Sequence, residues 1–285
     1  MEERNIEIRR IIKDPGSIPT LPGIITKLNT LSETGKSSAQ EISRVISMDP
    51  VLSAKVLRLV NSPFYGFSGR VSTISNALIL LGLNVIKSLS LSSTIFEIME
   101  ENILGLWEHS LGVGVAANII AKKIKLPECE EIATAALLHD IGKVIIKIRL
   151  EEDYNHLLDF IDKKDISMRE AEEKLLNTNH AEIGEWLASA WYLPEKLKEP
   201  LACHHNPEKA NQYLVGTSVV HVADVLIKST GFGFSGDDLV PAIHPLAWKK
   251  LEIDESKLEE IIDELEDKLV DLKNYSLEIH SHDGS

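Results

Sequence analysis

Residues 133–144 read ATAALLHDIGKV, an apolar run at helical spacing that closes on His139 and Asp140 side by side, then Gly142 and Lys143. Two groups able to ligate a metal stand at the end of an otherwise greasy helix, where burial without partners is costly. Either they cap a helix terminus, or polar residues from elsewhere in the chain converge on them.

The flanking segments carry such residues. Leu106–Ile124 reads as a helix bearing Trp107, His109, Val113, Ala117 and Ile120, with Gly112, Gly114 and Ala116 small enough for close helix approach. Glu151–Asn177 is amphipathic, with Tyr154, Leu157, Leu158 and Ile161 on one face. His180–Tyr192 makes another helix, stopped by Leu193-Pro194, and Glu195–Cys203 runs directly into His204-His205. Leu214–Ser229 is a further apolar helix containing His221 and Asp224. A loop from Gly231 through Pro241 and Pro245 precedes a last helix over Glu255–Lys273. There Leu258, Ile262, Leu265, Leu269 and Leu272 form a short heptad seam, and the polar tail HSHDGS follows.

Upstream, Asn5–Lys13 predicts a short helix broken at Asp14-Pro15-Gly16, and Pro22 suits the start of a helix facing inward with Ile24, Ile25, Leu28 and Leu31. Ser37 or Ser38 caps a helix through Ile46. Asp49-Pro50 restarts the chain into a helix with Leu52, Val56, Leu59 and Val60 on one stripe, and Asn61–Arg70 is an irregular loop. From Ser75 the chain is apolar almost all round, which predicts one buried helix or two in succession. No window alternates as a strand does, so the fold class is all-α, a multi-helix bundle, with Glu100–Asn102 as the boundary.

Composition narrows the function. The chain has 285 residues, 44% hydrophobic and 26% charged, enough for a sizeable core. No apolar run approaches the roughly 18 residues of a membrane span. The opening MEERNIEIRR lacks the pattern of a signal peptide, and Cys129 and Cys203 form no CxxC pair, so a cytoplasmic address is expected. A net charge of -14 argues against general nucleic-acid binding.

His109, His139, His180, His204 and His205 all fall in or beside apolar helical segments, and Asp140 and Asp224 are acidic residues on otherwise apolar helices. Imidazole and carboxylate together suit Fe, Mn, Zn, Co or Ni, and no thiolate set marks a structural zinc site. One carboxylate beside a histidine can bridge two metals, and two metals together activate water and clamp a phosphoryl group. Taken singly, each histidine reads as a satisfied core residue; jointly they point to metal. The tail dipeptide His282-Asp283 shows that HD alone is cheap. His156, His221 and His244 read as surface or capping residues, and Cys203 as a buried small residue.

With these residues in hand, the order His109, His139-Asp140, Asp224 resembles the H…HD…D quartet of the HD superfamily of metal-dependent phosphohydrolases. WEHSLGVGVAANIIAKK, ALLHDIGKVII, HAEIGEWLASAWYLP and LACHHNP look like its HDOD branch, as do the upstream phrases IPTLPGIITKLNTL and ISMDPVLSAKVLRLVNSPFYG. The resemblance spans Ser17 to Ser229. It implies an HD-type metal-binding helical core over residues 102–230, packed against an N-terminal helical subdomain of the HDOD module over 1–101, with a loop, C-terminal helix and polar tail over 231–285. It also implies a bacterial signalling setting.

HDOD members commonly serve as non-catalytic regulatory modules, many with part of the metal set lost; this chain keeps all of it. His180, His204 and His205 align with the extra histidines of the HD-GYP phosphodiesterases, and Lys143 with the lysine that contacts substrate phosphate there. After His204-His205 comes NPEKANQYLVG, with no GYP signature, so cyclic-di-GMP specificity does not carry over. Gly105 stands where trinuclear relatives place a glutamate, which leaves two ions, Fe or Mn favoured, with Zn, Ni or Co as alternatives. His109, His139, Asp140 and Asp224 are then expected to hold one ion, and Asp140, His180, His204 and His205 the second.

Two readings follow. In the first, the centre hydrolyses a phosphate ester, with Asp140 and Lys143 as catalytic residues and a nucleotide or phosphodiester as ligand. In the second, the metal is structural or vestigial and the chain docks signalling proteins through Asn61–Arg70 or its C-terminal helix. No membrane partner is expected, and the sequence does not specify an oligomer.

Overall fold

The computed structural model describes residues 39–47, 50–61, 71–82, 103–191 and 193–282, with isolated positions at Ile6, Ile8, Arg10, Ile11, Val85, Ile86, Ser90 and Met99. Among them every regular element is helical, and no helix is long and apolar enough to cross a membrane. The helix after Pro22, the Asp49 cap, the loop from Ser62 to Arg70 and the end of the tail lie outside the described residues, as does most of Asn5–Lys13. The chain forms two compact units, Met1–Thr20 with Glu97–Ile253 and Leu21–Phe96 with Asp254–Ser285.

In the second of these, α1 (Ala39–Ser47) buries Ile42, Val45 and Ile46, and α2 (Pro50–Val60) buries Leu52, Val56 and Val60. Both spacings place one apolar stripe inward. The Asn61 side chain ends α2 by exchanging two hydrogen bonds with the Val71 backbone, 2.7 and 3.0 Å. Thr73 caps α3 (Ile74–Leu81), accepting from the Asn76 N–H, and Gly82 ends it with φ +80°. Here the expectation of an apolar helix buried all round is corrected. Ile74, Ala77, Leu78 and Leu81 face inward, while Ile79 and Leu80 are 77% and 52% exposed.

The C-terminal helix of this unit also departs from its sequence reading. It runs from Glu255 to His282, past Lys273, because nothing between Asn274 and His282 breaks a helix. Its buried stripe is Ile261, Leu265, Leu269 and Leu272, and Ile262 turns outward. A straight helix at 3.6 residues per turn drifts away from a strict heptad, and the buried stripe follows the helix.

The first unit carries the candidate ligands. Helix α4 (Leu106–Lys123) is buried along nearly its whole length, packed against α5 (Cys129–Leu138) and α11 (Leu214–Thr230). The ATAALLHDIGKV stretch is two helices: α5 stops at Leu138 and α6 (Ile141–Arg149) begins after Asp140. The amphipathic run after it also divides. Asp165, at φ +51°, ends α7 (Glu151–Lys164), and Ser167 caps α8 (Met168–Leu176). Asn179 caps α9 (His180–Ala190), which packs on α6 and on α10 (Glu195–Cys203). After a 3-10 turn at Pro207–Lys209 come α11, an irregular loop, and the short α12 (Pro245–Leu251), which packs against α11.

Candidate metal centre

At two helix ends the same local device aims an imidazole. The last carbonyls of an α-helix lack intrahelical partners. At the end of α5, His139 Nδ1 lies 2.6 Å from the Ala136 carbonyl; at the end of α10, His204 Nδ1 lies 2.7 Å from the Leu201 carbonyl. Each Nδ1–H donates three residues back, which orients the ring and leaves Nε2 as the nitrogen open to a metal. A third histidine is held from another direction. His180 opens α9, and both its backbone N–H (2.9 Å) and its Nδ1 (2.6 Å) donate to Oε2 of Glu172 on α8.

These three Nε2 atoms meet those of His109, from α4, and His205. Ring centroids of neighbouring imidazoles stand 4.0 to 5.6 Å apart. Asp140 and Asp224 complete the set. Asp140 Oδ2 is 3.3 Å from His139 Nε2 and 3.6 Å from His109 Nε2, and its Oδ1 is 3.2 Å from His180 Nε2. Asp224 Oδ1 is 3.1 Å from His109 Nε2 and 3.7 Å from His139 Nε2. His205 Nε2 lies 2.8 Å from His180 Nε2.

Three triplets of ligand atoms, all within 4.8 Å of one another, emerge: His109, His139 and Asp224; His139, Asp140 and His204; His180, His204 and His205. The structure therefore brings all seven expected ligands to one place. His205 is half-buried and the other six are buried.

Close approach of backbones makes this possible. A Cβ on Gly142 would collide with the His180 carbonyl, so only glycine lets α6 cross the start of α9 and bring Asp140 to His180. A Cβ on Gly233, at φ +71°, would strike the His109 backbone, so the loop after α11 closes directly over α4. Phe234 N–H donates to the Gly105 carbonyl at 2.8 Å in the same contact.

The loop supplies further polar groups. Lys143 Nζ donates to Asp140 Oδ2 and to the Ser235 carbonyl, each at 2.7 Å. Asp237 accepts from Met168 N–H, from Leu239 N–H and from Lys228 Nζ, all at 2.9 Å. It thereby ties the loop to α8 and α11.

The electrostatics are those of a centre that demands positive charge. Burial alone would lower the pKa of His139, but the Asp140 and Asp224 carboxylates push it up to about 10. Burial would raise both aspartates; instead His139 and Lys143 hold Asp140, and His109 and His139 hold Asp224, well below the usual carboxylate range. Burial would lower Lys143, and Asp140 raises it. His204 and His205 are held well below the ordinary imidazole value by burial and by neighbouring imidazoles, and burial lowers His109 despite Asp224 beside it.

A cleft of about 480 Å³ reaches this centre. Lys143, His180, His205 and Asp224 form its floor, and Met168, Leu239 and Val240 its apolar walls. His109, His139, Asp140 and His204 are not among the residues lining it.

Three residues without an expected role prove to be part of the centre. Glu172, Asp237 and the Ser235 carbonyl are described above. A fourth, His221, corrects the reading of it as a surface or capping residue. It is buried, with Nδ1 donating to the His204 carbonyl at 2.7 Å and Nε2 accepting from His244 N–H at 2.8 Å. His156 is exposed, and His244 caps α12 by accepting from Leu246 N–H. Cys203 is half-buried rather than buried, its thiol pushed up to about 11 by burial.

Comparison with known proteins gives a consistent picture. A family model described as the HDOD domain matches residues 18–207. A protein of Treponema pallidum (strain Nichols), described as uncharacterized, is 27% identical over 238 residues, covering 79% of this chain and 46% of its own length. The chain thus spans about half of that curated relative. A crystal structure of an HDOD domain protein of unknown function from Geobacter sulfurreducens superposes with TM-score 0.74 at 27% identity, over 96% of this chain and 97% of the other. A candidate phosphohydrolase from Shewanella amazonensis SB2B superposes with TM-score 0.68 at 22% identity, over 93% and 97%, a likeness of fold.

Proposed function

The chain belongs to the HDOD family of the HD superfamily, and we propose that its core is a binuclear metal centre, Fe or Mn favoured, that hydrolyses a phosphate ester in a bacterial signalling setting. One observation carries this reading. The buried Nε2 atoms of His109, His139 and His204 and the Oδ1 of Asp140 make no well-formed hydrogen bond among the described residues, the carboxylates nearest His109 and His139 standing off at 3.1–3.7 Å, yet they converge. Buried polar atoms are nearly always paired, so a convergent set without partners fits cations.

Donor chemistry fits as well: neutral imidazole and carboxylate suit first-row divalent ions. His109, His139, Asp140 and Asp224 would hold one ion; Asp140, His180, His204 and His205 would hold the other, with Asp140 shared. Bound there, the ions supply Lewis acidity and lower the pKa of water toward neutrality.

The chain's own groups do the rest. Lys143, kept cationic by Asp140, presents positive charge at the cleft floor where a phosphoryl oxygen gains charge in the transition state. Met168, Leu239 and Val240 offer an apolar wall to the ester's substituent and exclude water from the floor. A nucleotide or other phosphodiester fits that combination of cationic floor and apolar wall.

A second reading, a non-catalytic module with structural metal that docks signalling proteins, draws on one observation. Four of the seven ligands lie behind the cleft floor, with His109, His139, Asp140 and His204 at most 1% exposed.

Turnover separates the two. Purified protein with added Mn²⁺ or Fe²⁺ is expected to hydrolyse members of a phosphodiester and nucleotide panel, and Asp140→Ala to abolish it. Metal bound with no turnover across the panel selects the structural reading.

A further inference from the structure

The ligating imidazoles are held in two different ways. His139 and His204 are held by carbonyls of their own helices, three residues back. His180 is held by a carboxylate from another helix, through one oxygen that takes both the ring and the backbone N–H. That carboxylate, Glu172, is wholly buried, and its second oxygen has no hydrogen-bond partner among the described residues.

We propose that Glu172 is a positioning residue for the outer ion: it fixes His180 in the Nδ1–H tautomer and supplies negative charge that selectively strengthens cation binding at His180, His204 and His205. This inference rests on the binuclear reading above.

The physical case has two parts. A carboxylate on the far nitrogen of a ligating imidazole fixes ring orientation and makes Nε2 a stronger donor. A carbonyl does the first but contributes no net charge. Of the three candidate ligand histidines whose Nδ1 partner the structure defines, His180 alone has an anion behind it, and it also lines the cleft. The inner four ligands already include both Asp140 and Asp224. The outer ion would have only the shared Asp140 beside three imidazoles, so it meets less negative charge than the inner ion, and Glu172 offsets that shortage from behind.

The test is a Mn²⁺ titration of the full chain, with free Mn²⁺ read by electron paramagnetic resonance. Wild-type protein is expected to bind two ions. Glu172→Gln keeps the volume and an acceptor but loses the charge, and weakens one site about 10-fold. Glu172→Ala loses both and weakens the same site by up to about 100-fold. The other site stays within twofold in each variant. Both sites unchanged, or both weakened equally, overturns the proposal, the latter marking a merely structural role. Wild-type protein that binds no Mn²⁺ instead removes the binuclear reading itself.

Histidine nitrogen NMR of the wild-type chain loaded with Zn²⁺ gives an answer free of substitutions. His180 should keep its proton on Nδ1 and bind metal through Nε2. Metal on Nδ1, or a proton lost from it, overturns the proposal.

Discussion

Lys143 stands one helical turn after Asp140, and its Nζ lies 2.7 Å from Asp140 Oδ2, both side chains buried. The same ammonium holds the Ser235 carbonyl, so one lysine holds the Asp140 carboxylate and ties the loop to it. Removing one partner of a buried ion pair leaves the other charge uncompensated. Lys143→Met should therefore destabilise the metal-free chain by about 3–5 kcal/mol, read by urea unfolding. A loss below about 1 kcal/mol would show that Lys143 is not the counter-ion of Asp140.

The pH dependence follows from His139. Its folded-state pKa of about 10 lies above the ordinary 6.5, so its proton stabilises the metal-free fold fully below about pH 6.5. That contribution is lost as pH rises through 10. A cation must displace the proton, so binding between pH 6.5 and 10 releases it, and apparent affinity rises by up to about tenfold per pH unit. Calorimetry at pH 8 in two buffers of different ionisation enthalpy reads the released proton; no difference between buffers contradicts the assignment.

On the acid side the groups act in the opposite sense. His204 and His205 stay neutral when folded but take protons when unfolded below about pH 6.5, so metal-free stability falls as pH drops under that value. Asp140 and Asp224, depressed in the fold, contribute stability above about pH 3.8 that is lost as pH falls through their lower folded values. Thermal unfolding across pH 4 to 7 should show a steady decline toward acid, and a flat profile would contradict it.

Gly142→Ala tests the helix crossing. The added methyl meets backbone, the His180 carbonyl, rather than a side chain that can move aside. Overpacking of this kind costs about 1–3 kcal/mol or more. The variant should unfold at lower temperature and bind less Mn²⁺; unchanged metal content would show that α6 and α9 do not need this approach.

Asp237→Ala should loosen the loop after α11. It strands two backbone N–H donors and the Lys228 ammonium, each costing about 1–3 kcal/mol when buried. Limited proteolysis within residues 231–244 should accelerate at least about tenfold. Equal cleavage rates would mean that Asp237 does not hold the loop.

Much of this was legible in the chain, for reasons that can be named. Apolar periodicity is a local property, and it placed Glu195–Cys203 and Leu214–Ser229 within one residue of the observed ends. It missed the break at Asp165 because no glycine or proline marks it; an aspartate takes the left-handed conformation instead.

The ligands stood out as polar residues in apolar text, but their supports did not. Glu172 sits in EAEEK, which reads as a solvated acidic face. Its spacing from Met168 and Leu176, four residues each way, was the available signal, since all three face inward. His221 was hidden by the same logic, its partners being a carbonyl and an amide that no side-chain pattern reveals. Asp237 lies in a loop, where no periodicity exists to consult.

Anomalous diffraction from crystals grown with Mn²⁺, recorded at the manganese edge, tests the central claim most directly. The account predicts two peaks, one among His109, His139, Asp140 and Asp224 and one among Asp140, His180, His204 and His205. Crystals saturated with Mn²⁺ that show no peak at these residues would contradict it.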